Sequence, residues 1–314
     1  MQALAVKEPS QLTDAQPMSL ELFNRWISYI DAKPKTVETY TRAVRQFAKY
    51  AADREITQPK REDVIAFREE LKTNGRKPTT IQCYITAVRL FFQWTATEGI
   101  YPNIADHVKG ARIDTEHKKD PLTTRQVKAL MSSIDRATLK GKRDFAIISL
   151  MLTTGLRTVS IAAADIADLK TAGDSPALYY RGKGHDEKSV YVKLAPPVED
   201  AIRDYLTARA EKDSSAPLFV SGSNRNGAER MTTRSISRIV KTALIAAGLD
   251  SDRLTAHSLR HTAATQNILN GASLEETQQL LNHSRISTTM IYSHALERSR
   301  NNSEVRIAKA LFGY

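Results

Sequence analysis

The chain has 314 residues, 41% hydrophobic and 26% charged, and its one cysteine, Cys83, can form no internal disulfide. These proportions suit a globular protein of about two domains and exclude a disulfide scaffold or a low-complexity chain; no apolar run approaches the ~18 residues of a membrane span. The net charge of +11 fits a polyanionic partner, nucleic acid first, better than a small metabolite.

Residues 1–17 are polar and aperiodic and are expected to form a flexible arm without the basic-then-apolar layout of a signal peptide. A cytoplasmic location is therefore expected. Residues 18–106 have a helical pattern. "SLELFNRWISYI" opens it. In "KTVETYTRAVRQFAKY" Val37, Tyr40, Val44 and Phe47 recur at steps of three and four, with a start predicted at Thr36 after Pro34. "REDVIAFREELKTNG" ends at Gly75. In "TTIQCYITAVRLFFQWTATEG" Ile81, Ile85, Val88, Phe91 and Phe92 share a face and Gly99 is the stop. A four-helix domain is predicted. Residues 107–123, "HVKGARIDTEHKKDPLT", are polar and charged and read as a linker. Residues 124–314 form a second, mostly helical unit. Helices are predicted in "TTRQVKALMSSI", "KRDFAIISLMLTTG", "PPVEDAIRDYLTARAE", "TTRSISRIVKTALIAAG" and "HSLRHTAATQNILNG". Two β-prone runs, Ala177–Arg181 and Ser189–Leu194, flank a Gly-Lys-Gly turn and predict a hairpin.

Several polar residues sit where chemistry is possible. In "AHSLRHTAAT" His257, Arg260 and His261 share one helix face. Two histidines four apart can bind zinc, but the metalloprotease pattern needs a glutamate where Ser258 stands, and Arg260 would repel a cation. An anion suits the group better; a solvated polar face is the plain alternative. In "LMLTTGLRTVSI" an apolar helix ends at Gly155 and Arg157 follows, placed for a cleft or merely for the helix dipole. Lys183 lies between two glycines that let backbone approach a ligand, and alone reads equally as a turn lysine. "LNHSRISTTMIYSH" carries His283 and Tyr292; Tyr292 could be a nucleophile or could simply pack.

Taken together, "TTGLRTVSI", "YYRGKGHDEKSVYV", "TAHSLRHTAAT" and "LLNHSRISTTMIYSH" resemble, in this order, the motifs of the tyrosine recombinases, the phage integrase family. "TVETYTRAVRQFAKY" and "TIQCYITAVRLFFQW" resemble its helical DNA-clamping domain, so the likeness spans nearly the whole chain. The resemblance implies a mainly α fold: an N-terminal SAM-like clamping domain and a mostly helical catalytic domain with a small antiparallel sheet or hairpin, closing as a C-shaped clamp on DNA. It implies site-specific strand cleavage and rejoining through a 3′-phosphotyrosyl bond, without ATP, cofactor or metal. The implied roles are Tyr292 as nucleophile, Arg157 and Arg260 as phosphate forks, His257 and His283 as donors and Lys183 as general acid.

Physical chemistry supports such a set. A phenol of pKa ~10 must lose its proton while meeting an anion, so positive charge must surround it. Arginines match phosphate oxygens bidentately. An acid must protonate the leaving 5′-oxygen. Arginines, a lysine and histidines can together replace a metal as the electrostatic clamp.

One position departs from the family. Arg-x-x-Glu is usual, and Ser160 stands in the acidic place, which leaves the support of Arg157 open; Asp165 or Asp168 could stand in. Lys35, Arg42, Arg45, Lys77 and Arg89 are expected to touch mainly phosphates of double-stranded DNA. The tail holds polar residues 298–303 and then Val305, Ile307, Ala308, Leu311 and Phe312. It reads as a tether and a docking helix at about 303–312, exchanged cyclically in a homotetramer or folded onto its own domain. The size suggests the compact, Xer-like or transposon-encoded type, nucleoid-associated, with accessory proteins possible. The competing readings are a type IB topoisomerase-like relaxing enzyme and an inactive DNA-binding relative.

Overall fold

The structure is a computed structural model and describes residues 19–113, 119–182, 187–222, 229–300 and 302–313, with backbone alone for 294–300. The arm at 1–17 and Lys183 lie outside the described residues. The chain divides into two compact units, residues 1–116 and 117–314.

The first unit holds four helices: α1 (Leu20–Tyr29), α2 (Pro34–Ala52), α3 (Arg61–Thr73) and α4 (Pro78–Thr97). The Ser19 side chain accepts from the Leu22 N–H and starts α1. Proline opens both α2 and α4, where its missing N–H costs nothing, so α2 begins at Pro34 rather than at Thr36. Val44, Phe47, Ile81, Ile85, Val88, Phe91 and Phe92 are buried, whereas Val37 and Tyr40, one turn or two from the start of α2, are only partly covered. The core is aromatic, with Trp26 edge-on to Phe91 and Phe47 edge-on to Phe67 and Phe92.

The expected linker at 107–123 is narrower in the structure. Val108 is buried in the first core and Ala111 packs against it, while Leu122 is buried in the second. The Leu122 N–H donates to the Thr262 hydroxyl at 2.8 Å, and Arg253 pairs with Asp120. Isolated apolar residues in a charged run were enough to anchor both of its ends.

The second unit holds nine helices among the described residues, with α6 at its centre. They are α5 (Thr124–Ser132), α6 (Leu139–Thr154), α7 (Thr158–Ala162), α8 (Pro196–Arg209), α9 (Thr233–Ala246), α10 (Ala256–Leu269), α11 (Leu274–Leu281), α12 (Ser287–Arg300) and α13 (Ser303–Phe312). α6 packs against α8, α9 and α10. An antiparallel sheet runs β1 (Leu169–Ala172), β2 (Ser175–Tyr180), β3 (Val190–Lys193), with Leu178 opposite both Leu169 and Val192. Sequence periodicity missed β1, whose alternation is too short to detect. The predicted hairpin is present as the antiparallel β2–β3 pair, whose ladder ends at Tyr180–Val190; Lys183 and Gly184 of the expected turn lie outside the described residues.

No residue of α13 is buried: Val305, Ile307, Leu311 and Phe312 are all exposed. No helix among the described residues is long and apolar enough to cross a membrane.

Candidate functional site

The site is assembled at the ends of α6 and α11 by the buried Arg260 of α10. α6 stops because Gly155 adopts φ 63°, ψ 17°, the left-handed region that a side chain disfavours. A Cβ at Gly155 would also lie 2.5 Å from Leu281 Cδ2 and near Ala263 and Arg260. Only glycine gives both the turn and the close approach. The Arg260 guanidinium, 4% exposed, donates from Nη1 to the Gly155 carbonyl at 2.5 Å and from Nη2 to the Leu281 carbonyl at 2.6 Å. One side chain thereby ties the end of α6 to the end of α11. Arg157 follows the first carbonyl by two residues, and His283 follows the second by two.

In the first turn of α10, Ser258 stands at the position that the zinc pattern would give to a glutamate. Its hydroxyl accepts from the Thr255 N–H at 3.1 Å and donates to the Arg253 carbonyl at 3.0 Å. Ser258 completes a capping box with Thr255, the N-cap of α10. α11 ends at Asn282 in the left-handed conformation, φ 47°, and the turn leads through His283 into α12. Tyr292 is buried with Ala264 and Leu281. Its ring meets His261 edge-on at 5.3 Å and stacks near-parallel with His283 at 6.5 Å. His261 in turn lies 4.6 Å from the exposed His257.

The electrostatics follow from burial beside two arginines. Burial pushes the Tyr292 phenol up, and Arg260 and Arg157 pull it back. Burial, then the Arg157 charge, lower Arg260 to about 10, so it remains cationic at neutral pH. Burial, reinforced by Arg260, Arg157 and His257, holds His283 down at about 4. His283 is therefore a neutral imidazole under ordinary conditions.

Arg157, Arg260, His283 and Tyr292 thus share one electrostatic environment, and His257 borders it. Among the described residues no ion pair holds the Arg157 guanidinium. Asp165 and Asp168 do not take the place left by Ser160. Asp165 pairs with Lys188 at 2.7 Å and with Arg230, and Asp168 pairs with the same lysine. Burial raises the Asp165 carboxyl, but Arg230 and Lys188 outweigh that and hold it below the usual range.

Sequence reasoning missed Tyr180 and Thr289, and it named His261 only as a neighbour of His257 and Arg260 on one helix face. Tyr180 is buried on the inner face of β2, two residues from Leu178; burial raises its phenol against the pull of Arg260, a hydrogen bond with Asn282, and Arg157. The alternation of Leu178 and Tyr180 is the signal that could have found it. Lys35, Arg42, Arg45, Lys77 and Arg89 are in the first unit and all exposed. Lys35 and Arg42 share Glu38, at 2.7 and 2.9 Å, and Arg45 lies over the Phe23 ring at 5.4 Å. Exposed pairs of this kind contribute little and are readily exchanged for other anions.

Gly155→Ala is expected to lower unfolding stability by roughly 2–4 kcal/mol, combining left-handed strain with displacement of Leu281. A shift of the denaturant midpoint at unchanged m-value checks it; an unaltered midpoint contradicts the close approach.

Residues 121–298 match the Phage integrase family, and residues 5–99 match its N-terminal SAM-like domain. Tyrosine recombinase XerC of Chlamydia trachomatis is 36% identical over 199 residues, 62% of this chain and 60% of the relative. The aligned stretch thus spans about three fifths of that relative's length. XerC of Caldanaerobacter subterraneus is 36% identical over 177 residues, 55% of this chain and 46% of the relative. Two solved structures share the fold. XerH recombinase bound to a palindromic difH substrate, in a post-cleavage complex, has TM-score 0.69 at 20% identity, covering 84% of this chain and 78% of that one. The Tn1549 transposon integrase with transposon right end DNA has TM-score 0.68 at 20% identity, covering 91% and 99%.

Proposed function

Because the chain belongs to the phage integrase family, we propose that it is a site-specific DNA recombinase that breaks and rejoins strands through a 3′-phosphotyrosyl intermediate. The observation that carries this is the burial of Tyr292 against an imidazole and within the field of Arg260 and Arg157. The Tyr292 phenol gives up its proton to water, its oxygen attacks the scissile phosphorus, the P–O5′ bond breaks, and the released 5′-oxygen takes a proton. Lys183 is the proposed donor of that proton. Reversal by a 5′-hydroxyl of another strand restores the phosphodiester, so the bond is conserved without ATP.

Each residue has a physical task. Burial raises the phenol, and the charge of the transition state is met by cations in a partly desolvated site, where they act strongly. Arg157, which makes no ion pair among the described residues, has its fork available to the non-bridging oxygens. Arg260 uses two nitrogens on backbone carbonyls, which holds the rest of its guanidinium still toward the phosphate. His283 and His257 donate further hydrogen bonds. This donor set supplies charge without a divalent ion.

Lys35, Arg42, Arg45, Lys77 and Arg89 are the proposed phosphate contacts of the first unit, with log affinity falling against log salt at about −0.9 per phosphate neutralised. The exposed apolar face of α13 supports its docking on a neighbouring protomer in a DNA-bound homotetramer. Such a protein works in the cytoplasm on the nucleoid.

Trapping tests the proposal. Binding sites selected from randomised duplex DNA are remade as suicide substrates nicked beside each candidate phosphate. A detergent-resistant adduct is expected with and without EDTA, and its tryptic peptide should carry the nucleotide on Tyr292. Tight binding without any adduct would overturn the assignment.

A further inference from the structure

Thr289 lies three residues before Tyr292 on α12 and is completely buried, and its hydroxyl is 3.0 Å from His283 Nδ1. That geometry admits two tautomers. Either Nδ1–H donates to the hydroxyl and Nε2 keeps a lone pair, or the hydroxyl donates to Nδ1 and Nε2 keeps the proton. The two give His283 opposite chemistry, base or donor.

The burial of Thr289 decides between them. Elsewhere in this unit, buried helical threonines direct their hydroxyl proton to the carbonyl four residues back: Thr154 to Leu150 at 2.5 Å, Thr262 to Ser258 at 2.8 Å, Thr277 to Ser273 at 2.9 Å. The Thr289 hydroxyl makes no such bond; among the described residues its one hydrogen-bond partner is His283 Nδ1. If Nδ1 carried the proton, the Thr289 O–H would be a buried donor with nothing to accept it, a penalty of about 1–3 kcal/mol. We propose that Thr289 is a positioning residue: its hydroxyl donates to His283 Nδ1, places the ring proton on Nε2, and so makes His283 a hydrogen-bond donor rather than a proton acceptor.

The same bond orients the ring. It tethers the turn after α11 to the helix that bears Tyr292, which agrees with the two rings lying within 8° of parallel. A neutral His283 is also what the assignment requires. The inference rests on the recombinase reading for its consequence but not for its tautomer.

The experiment therefore has two arms, both on the full chain. Nitrogen NMR of 15N-histidine-labelled protein, with His283→Gln identifying the signal, reads the tautomer without DNA. The Nε2–H form is expected in wild type and in Thr289→Ser, and its loss or mixing with the Nδ1–H form in Thr289→Val. On the trapping substrates, Thr289→Val should slow cleavage about tenfold, the loss of one bond's orientation, and Thr289→Ser should restore it. Added to His283→Gln, Thr289→Val should have no further effect. An Nδ1–H ring in wild type, an unchanged ring in Thr289→Val, or equal slowing by Thr289→Val with and without His283 would each overturn the inference. If wild type shows no cleavage at all, the function reading fails while the NMR arm still decides the tautomer.

Discussion

Tyr292→Phe is expected to bind DNA and fold as wild type does while forming no covalent adduct. The substitution removes a single oxygen. The ring keeps its place beside Ala264 and Leu281 and its edge contact with His261. Losing a hydroxyl in such a place typically changes stability by about 1 kcal/mol, small beside the complete loss of the atom proposed to bond phosphorus. Filter binding and thermal melting should therefore agree with wild type to within that margin, and gel-shifted covalent product should vanish. An adduct that persists in Tyr292→Phe would mean that another residue is the nucleophile. Tyr180 would then be the first to test, because it too is a buried phenol under the influence of Arg260 and Arg157.

Arg260→Lys is expected to cost both rate and stability, whereas Arg157→Lys should cost rate alone. A lysine ammonium cannot reach both the Gly155 and the Leu281 carbonyls with the fixed fork that Arg260 uses. At least one buried carbonyl loses its partner, worth about 1–3 kcal/mol, and the turns carrying Arg157 and His283 loosen. Removing one transition-state donor usually costs ~10²–10³ in rate, and loosened neighbours add to that. Arg157 makes no ion pair among the described residues. Single-turnover cleavage and denaturant melts on both variants check the contrast. Equal stability loss in the two, or cleavage unaffected in either, would contradict the arrangement in which one arginine builds the pocket and the other faces the substrate.

Much of the fold was legible because helical burial repeats every three to four residues. The face holding Ile81, Ile85, Val88, Phe91 and Phe92 is the face that packs. What stayed illegible was short or depended on distant partners. β1 has four residues, too few for alternation to stand out, and its place is set by pairing with β2. The charged stretch at 107–123 gave no sign that Val108 and Leu122 belong to two different cores. Ser258 was legible as not being a glutamate, but its task in closing the first turn of α10 needed the Thr255 N–H and the Arg253 carbonyl to be seen.

The order of residue types along the chain was sufficient by itself to single out Arg157, His257, Arg260, His283 and Tyr292, because the motifs carry their chemistry in side-chain identity and local spacing. Folding alone decided that Arg260 closes on a carbonyl 105 residues away and on another 21 residues away, and that Thr289 rather than a carboxylate faces His283. The reason is physical. Local spacing sets which side chains share a helix face, but a buried guanidinium or hydroxyl must find its partners wherever tertiary packing brings backbone and ring within about 3 Å.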